Sequence, residues 1–432
     1  MSDQPNETTT AAGAVTAPPA ELADEQTIRR RPSRPYLKHV FLLTLSLVIG
    51  AVILAILLKP SFVPTVKIAV VLPLTGEDAV SGNELSQGVE LARQKIQREG
   101  DKSYDYRVEV EVFDDQSTRQ GAQQAALKIA ADPNVAAVVG HFSSANTLAA
   151  LPIYRTANLP LIMPVATLTT ITRGGEFPNA FRLPPTNEEQ AQTVVAFVAE
   201  YLKGKEIFII HDDTDYSKNL AQSIDLSLKS RRLTPVGLQP VDRGTTNFQV
   251  LNQIAGYNPH VDVIVYVGYS PEAIYLAKQL GLRSDLHANL VLTDGVYGTR
   301  YRQAESSSGS YVVYQVPPKE MLEQRPAWKE YASEFQKRNM SGNPEGWAVW
   351  AYDGVNLARY AIEQQFHVSR VPRSEVVLGV LNGEIGHTTF RYEGALVDYE
   401  FNNNHDNKNG YYYVYQVANG EYTAVPWTFG KP

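Results

Sequence analysis

The sequence predicts an α/β protein of two doubly wound, Rossmann-like lobes joined by a hinge and preceded by one transmembrane helix. Three observations predict it. From Val66 onward short β-rich runs alternate with helical periods, the pattern of a parallel sheet covered by helices. That series is played twice, in a chain of 432 residues, beyond the roughly 250–300 residues at which one core usually divides. A long apolar run precedes both series.

The apolar run extends from Val40 to Leu58, interrupted by Thr44, Ser46 and Gly50. At about 1.5 Å per residue it reaches roughly 28 Å, enough for a hydrocarbon layer. Arg29, Arg30, Arg31, Arg34 and Lys38 precede it and Lys59 follows, so the positive-inside rule puts the N-terminus in the cytoplasm and the rest in the periplasm or outside the cell. A cleavable signal peptide would end in a small-residue site, which Leu57-Leu58-Lys59-Pro60-Ser61 does not supply. The expectation is a disordered cytoplasmic arm over 1–38 and a single-pass anchor over 39–59, in the cell membrane.

In the first lobe, Val66–Leu72 reads as a buried strand. Leu85, Val89, Ala92 and Ile96 then fall on one helical face, and Arg107–Phe113 returns as a strand, completing a βαβ unit. A helix over 118–131, a strand at Val135–Val139, a helix from Asn146 and a strand at Leu161–Pro164 continue the pattern. After Phe181-Arg182-Leu183-Pro184-Pro185 the series repeats: helices over 187–203, 217–230, 246–256 and 271–280 alternate with strands over 206–210, 235–239, 261–267 and 290–292. A strand at Tyr311–Val316 and helices over 326–338 and 347–365 follow. The aromatic, alternating stretch from Gly394 to Ala424 reads as antiparallel strands closing a sheet edge. The expected division is 65–185 plus 317–368 for the first lobe and 186–316 plus 369–428 for the second.

Composition removes several functions. A net charge of -7 leaves nothing for nucleic acid to hold, and the absence of cysteine excludes disulfides, thiolate metal sites and cysteine nucleophiles. No nucleophile elbow, zinc-protease helix, phosphate loop or dinucleotide fingerprint is present, so no cofactor is called for. His211-Asp212-Asp213-Thr214-Asp215 reads as helix capping rather than a metal site, Asp114-Asp115 is treated likewise, and His141 reads as structural.

In open α/β sheets ligands sit beyond the carboxyl ends of the strands. At Val138–Thr147 (VVGHFSSANT) a strand runs through a glycine turn into hydroxyl residues that open a helix. That grammar fits either an ordinary N-cap by Ser143 or Ser144 or an anion site for a carboxylate. It recurs at Met163–Thr167 (MPVAT), and after the strand at Leu290–Thr293 the pair Asp294-Gly295 offers an acid for a cation. An anion site facing an acid suits a zwitterion.

The stretches VVGHFSSANTLAALPIY, PLIMPVAT, IFIIHDDTDYSKNLAQS, VDVIVYVGYSPEA and LTDGVYG, with TGEDAVSGNELSQGVELA and FDDQST, resemble in order the signatures of the type I periplasmic binding proteins. The likeness is greatest to the leucine/isoleucine/valine-binding branch that serves ABC importers, and it spans about residues 66–424. The resemblance implies that Ser144, Val165 and Thr167 grip a ligand carboxylate and that Asp294 with Gly295 takes its ammonium. It implies an aromatic wall from Tyr216 and Tyr269, with Phe142, Ser143 and Trp347 lining the remainder. Ser81 stands where the family often has an aromatic, which opens the side-chain end to amino acids beyond the branched-chain type, to amides or to small carboxylates.

The function expected is therefore non-enzymatic: a membrane-tethered solute receptor that hands a small molecule, foremost an amino acid, to an ABC permease. A receptor ectodomain signalling to a membrane sensor is the alternative, and an amidase using Asp294 with His141 or His211 is a remote one.

Overall fold

The computed structural model describes residues 35–57, 63–99, 106–257, 260–364, 373–385 and 390–427. Two units separate, Met1–Phe62 and Val63–Pro432.

In the first unit helix α1 covers Pro35–Leu57. Among the described residues no helix is long and apolar enough to cross a membrane. The expected single-pass span, and the membrane location built on it, are corrected accordingly. The arm expected over 1–38 falls mostly outside the described residues.

In the second unit, β1 (Thr65–Leu72), β2 (Arg107–Asp114), β3 (Val135–Val139), β4 (Leu161–Met163) and β5 (Ala180–Arg182) form a wholly parallel sheet in the order β2-β1-β3-β4-β5. Every residue of β3 is buried, which its run Val-Ala-Ala-Val-Val requires of a strand covered on both faces. The covering helices are α2 (Ala79–Glu99), α3 (Arg119–Ala130) and α4 (Ser144–Thr156).

The chain leaves this lobe through Pro184-Pro185, after which the side chain of Thr186 and that of Glu189 cap each other's backbone N–H and start α5 (Asn187–Ala196). The second sheet contains β6 (Ile207–Asp212), β7 (Gly237–Val241), β8 (Val263–Val267), β9 (Asn289–Leu292) and β10 (Tyr311–Tyr314) in parallel. Its helices are α6 (Asp215–Ser230), α7 (Val250–Ala255) and α8 (Ser270–Gly281). The helix expected over 246–256 begins late because side chains hold its start: Gly244 N donates to Glu272 Oε1 (2.7 Å) and Phe248 N to Gln279 Oε1 (2.9 Å).

Short helices α9 (Thr299–Arg302) and α10 (Lys319–Leu322) precede α11 (Pro326–Lys337) and α12 (Trp347–Gln364), which return to pack on α2. Helix α13 (Ser374–Leu381) packs on β3 and α12, followed by a small hairpin of β11 (Tyr392–Glu393) and β12 (Asp398–Tyr399). The expected boundary at 368 therefore shifts toward the C-terminus. The Asp353 carboxyl of α12 accepts from Ala395 N (2.8 Å), Leu396 N (3.0 Å) and the Tyr399 hydroxyl (2.8 Å), which keeps this segment on the first lobe. The chain rejoins the second sheet at β13 (Tyr413–Ala418), antiparallel to β10, with β14 (Glu421–Ala424) antiparallel at its edge. The aromatic stretch thus forms edge strands, as its alternation predicts.

The lobes meet. Arg243 pairs with Asp78 at 2.8 Å, and Arg119 with Asp215, each from one lobe to the other.

The α2–α12 contact depends on a missing side chain, since a Cβ on Gly88 would lie 1.7 Å from Ala348 O. Gly88→Ala should destabilise the protein by about 1–3 kcal/mol, the usual range for overpacking. Urea unfolding measures it, and an unchanged midpoint would contradict this account of the helix contact.

Candidate ligand-binding site

Between the carboxyl ends of the two sheets lies a cavity of about 280 Å³, lined by Phe142, Ser144, Val165, Ala166, Thr167, Tyr216, Tyr269, Asp294, Gly295 and Trp347. The structure brings together nearly all the residues singled out in the sequence. Ser143 and Ser81 stand apart: Ser143 is the N-cap of α4, its hydroxyl accepting from Asn146 N at 3.2 Å, and Ser81 lines an adjoining cavity.

The first-lobe wall is made of strand ends. β3 delivers Phe142 and the first turn of α4, whose leading N–H groups lack intrahelical acceptors and favour negative charge. Ser144 Oγ accepts from Leu168 N at 3.3 Å, which ties this turn to the Val165–Thr167 loop and leaves the hydroxyl proton for a partner in the cavity. That loop is held from behind by Arg182, fully buried at the end of β5. Its guanidinium donates to Ala166 O (2.7 Å), Leu168 O (2.9 Å), Thr172 Oγ1 (2.8 Å) and Asp406 Oδ1 (2.8 Å). Sequence reasoning passed over Arg182, although a single arginine inside the apolar run Ala-Phe-Arg-Leu signals a buried cation with fixed acceptors.

The second-lobe wall centres on Asp294, just past β9 and 3% exposed. The Tyr216 hydroxyl donates to its Oδ1 at 2.5 Å and also lies 2.9 Å from Thr293 Oγ1. Burial pushes the Asp294 carboxyl up from 3.8 to about 6, against the opposing pull of hydrogen bonds from Tyr216, Gln190 and the backbone of Gly295. No cationic side chain pairs with it among the described residues. Gln190, on the first turns of α5, donates to Val313 O at 3.1 Å and has a buried, unpartnered Oε1. It was not foreseen, because nothing local in Asn-Glu-Glu-Gln marks which residue turns inward. Gly295 is required by close approach, since a Cβ there would meet Gly268 O at 2.5 Å.

Aromatic rings close the remaining sides. Phe142 meets Trp347 edge-on at 5.5 Å and Tyr269 at 6.3 Å, while Tyr216 and Tyr269 lie 5.6 Å apart.

The other polar clusters serve the scaffold. Asp212 Oδ1 accepts from Thr214 N (3.0 Å) and Thr214 Oγ1 (2.6 Å), Thr214 caps α6, and His211 Nδ1 sits 2.7 Å from Asp212 O. Asp114 gathers Leu74 N, Thr75 N and Gln116 N, and His141, fully buried, bridges Asp115 (2.8 Å) and Tyr154 (3.3 Å).

Arg182→Met would leave Asp406 without its cation and remove the guanidinium bonds to the Ala166 and Leu168 carbonyls, a change that typically costs about 3–5 kcal/mol for a broken buried pair. Chemical unfolding should register that loss; a variant as stable as the parent would mean that the loop does not depend on the guanidinium.

Comparison with known proteins agrees with this architecture. A family profile described as periplasmic binding protein matches residues 65–421. The Leu/Ile/Val-binding protein of Citrobacter freundii is 25% identical over 350 residues, covering 79% of this chain and 93% of that protein. The leucine-, isoleucine-, valine-, threonine-, and alanine-binding protein of Pseudomonas aeruginosa is 25% identical over 342 residues, covering 78% and 88%. Among solved structures, the branched-chain amino acid transporter substrate-binding protein of Streptococcus pneumoniae, in complex with isoleucine, is similar with a TM-score of 0.72 at 25% identity, covering 83% of this chain and 98% of that one. With two wound sheets facing one cavity and a profile match over most of its length, the chain belongs to the periplasmic binding protein family.

Proposed function

We propose that the protein captures an α-amino acid between its lobes and presents it to an ABC permease. One observation carries this reading: Asp294 is a buried carboxyl that lines the cavity with no cation beside it, while the first turn of α4 and the Val165–Thr167 loop offer N–H and hydroxyl donors from the other lobe. An ammonium beside Asp294 and a carboxylate at α4 satisfy both walls at once. Ser144, Val165 and Thr167 then hold the carboxylate, Asp294 with Tyr216 and Gly295 holds the ammonium, and the rings of Phe142, Tyr269 and Trp347 enclose the side chain. The relatives named above for leucine, isoleucine and valine support an amino acid as the ligand class.

Buried charge-assisted hydrogen bonds contribute roughly 1.5–3 kcal/mol each, and micromolar binding needs about 8 kcal/mol. Three or four such bonds beyond the association cost are sufficient. A ligand that touches both lobes favours their closed arrangement, and that population shift is what a permease reads. Binding without turnover fits the two histidines weighed for catalysis, since His141 and His211 are both engaged in hydrogen bonds behind the walls and neither lines the cavity. The sensory alternative rested on the membrane anchor and has no remaining support of its own.

The raised pKa of Asp294 fixes two expectations. Because the folded value for Asp294, about 6, lies above the ordinary 3.8, the ligand-free protein bears a penalty for ionising it that is fully present above pH 6 and relieved as pH falls toward 4. Asp294→Asn removes that penalty, so the ligand-free variant should be more stable than the parent at pH 7.5, by up to about 3 kcal/mol. In thermal unfolding, an amino acid at 100 times its dissociation constant should stabilise the parent by roughly 2.7 kcal/mol and leave Asp294→Asn unmoved. If N-acetylated amino acids stabilise the parent equally, the ammonium site is refuted.

A further inference from the structure

The cavity around Asp294 continues past its aromatic wall. Tyr269, Gly295 and Trp347 also line a second cavity, of about 490 Å³, bounded by α2 and by the segment that follows β9. Ser81 lines it from α2 and is too small to close the passage; Glu84 lies one helical turn further along the same face.

The charges of this second cavity do not balance. Arg243 is already shared, pairing with Asp78 at 2.8 Å and with Glu272 at 3.3 Å while its guanidinium lies 3.8 Å over the Tyr269 ring. Glu77 and Arg300 are exposed at the mouth, where solvent screens them. Glu84 remains: it is half-buried and makes no hydrogen bond or ion pair with any described residue. Burial raises its carboxyl to about 7 in spite of Arg302 nearby. Tyr297, 3% exposed, lines the same cavity with no hydrogen-bond partner for its hydroxyl among the described residues, and Thr299 Oγ1 is buried without one. An apolar side chain entering here would desolvate Glu84 further and return nothing; a cation would pair with it.

We propose that the second cavity receives the side chain of the bound amino acid and selects side chains ending in an ammonium or guanidinium, with Glu84 as counter-ion. The inference rests on the amino-acid clamp proposed above. It makes basic α-amino acids the preferred class, with the chain passing between Trp347 and Tyr269 and the terminal cation reaching Glu84.

Calorimetric titration of the full-length protein with lysine, arginine, leucine and norleucine tests it, norleucine being close to lysine in length without the charge. Lysine or arginine should bind about tenfold or more tighter than norleucine, the separation expected of one charge-assisted hydrogen bond. Glu84→Gln should erase that separation while leaving norleucine affinity within about threefold of the parent, and Glu84→Leu should invert the order. Thermal unfolding of both ligand-free variants verifies that they are folded. If leucine or norleucine binds the parent as well as lysine and arginine do, and Asp294→Asn abolishes that binding, the clamp stands and the acidic subsite is overturned. If no amino acid binds at all, both readings fall together.

Discussion

A carboxyl buried without a counter-ion is the constraint on which the site depends. Asp294 is kept in place by the end of β9, by one tyrosine hydroxyl and by neighbouring backbone N–H groups, and its charge is costly until a cation arrives. The cost is tolerated because the rest of the molecule is a large scaffold: one parallel sheet and one largely parallel sheet, with central strands buried on both faces, whose carboxyl ends point at one another. On the proposed reading, such a scaffold leaves one group unsatisfied for a ligand that brings a positive charge.

The second requirement is that both walls stay in register while the lobes move. The first-lobe wall is braced from behind at two places. Arg182 ties the Ala166 and Leu168 carbonyls to Asp406, and Asp353 ties α12, which carries Trp347, to the backbone at Ala395 and Leu396. These braces are buried, so they are rigid within a lobe. The contacts between lobes differ in kind: Arg119 with Asp215 is an exposed pair, and Arg243 with Asp78 is half-buried. Exposed pairs contribute little on their own, so a ligand with bonds to both lobes can decide between the open and closed arrangements.

Much of this was legible in the sequence. Buried parallel strands read as apolar runs, and loops after strands read as glycine, hydroxyl and acid signals, so the Ser143-Ser144 turn, the Met163–Thr167 loop and Asp294 could be marked by position, while the family resemblance singled out Ser144 and Thr167. Arg182 and Gln190 escaped because their roles come from partners far away in the chain, Asp406 for one and Val313 for the other. The stretch 374–399 was put on the wrong lobe for the same reason, since its link to Asp353 has no local signature. The membrane anchor was inferred from an apolar run, its flanking positive charges and the lack of a cleavage site, whereas no described helix is long and apolar enough to cross a membrane.

The most direct test is the proton released on binding. A ligand ammonium lowers the pKa of the carboxyl it meets, so an amino acid entering at a pH near 6, where Asp294 is about half protonated, must expel about half a proton per site. Titration calorimetry with leucine or norleucine, which carry no second charge, in buffers of different ionisation enthalpy counts that proton. The account predicts release of about half a proton at pH 6 that grows as pH is lowered toward 5, fades by pH 8 and vanishes in Asp294→Asn. Amino-acid binding with no proton release near pH 6, or with the same release in the variant, would contradict it.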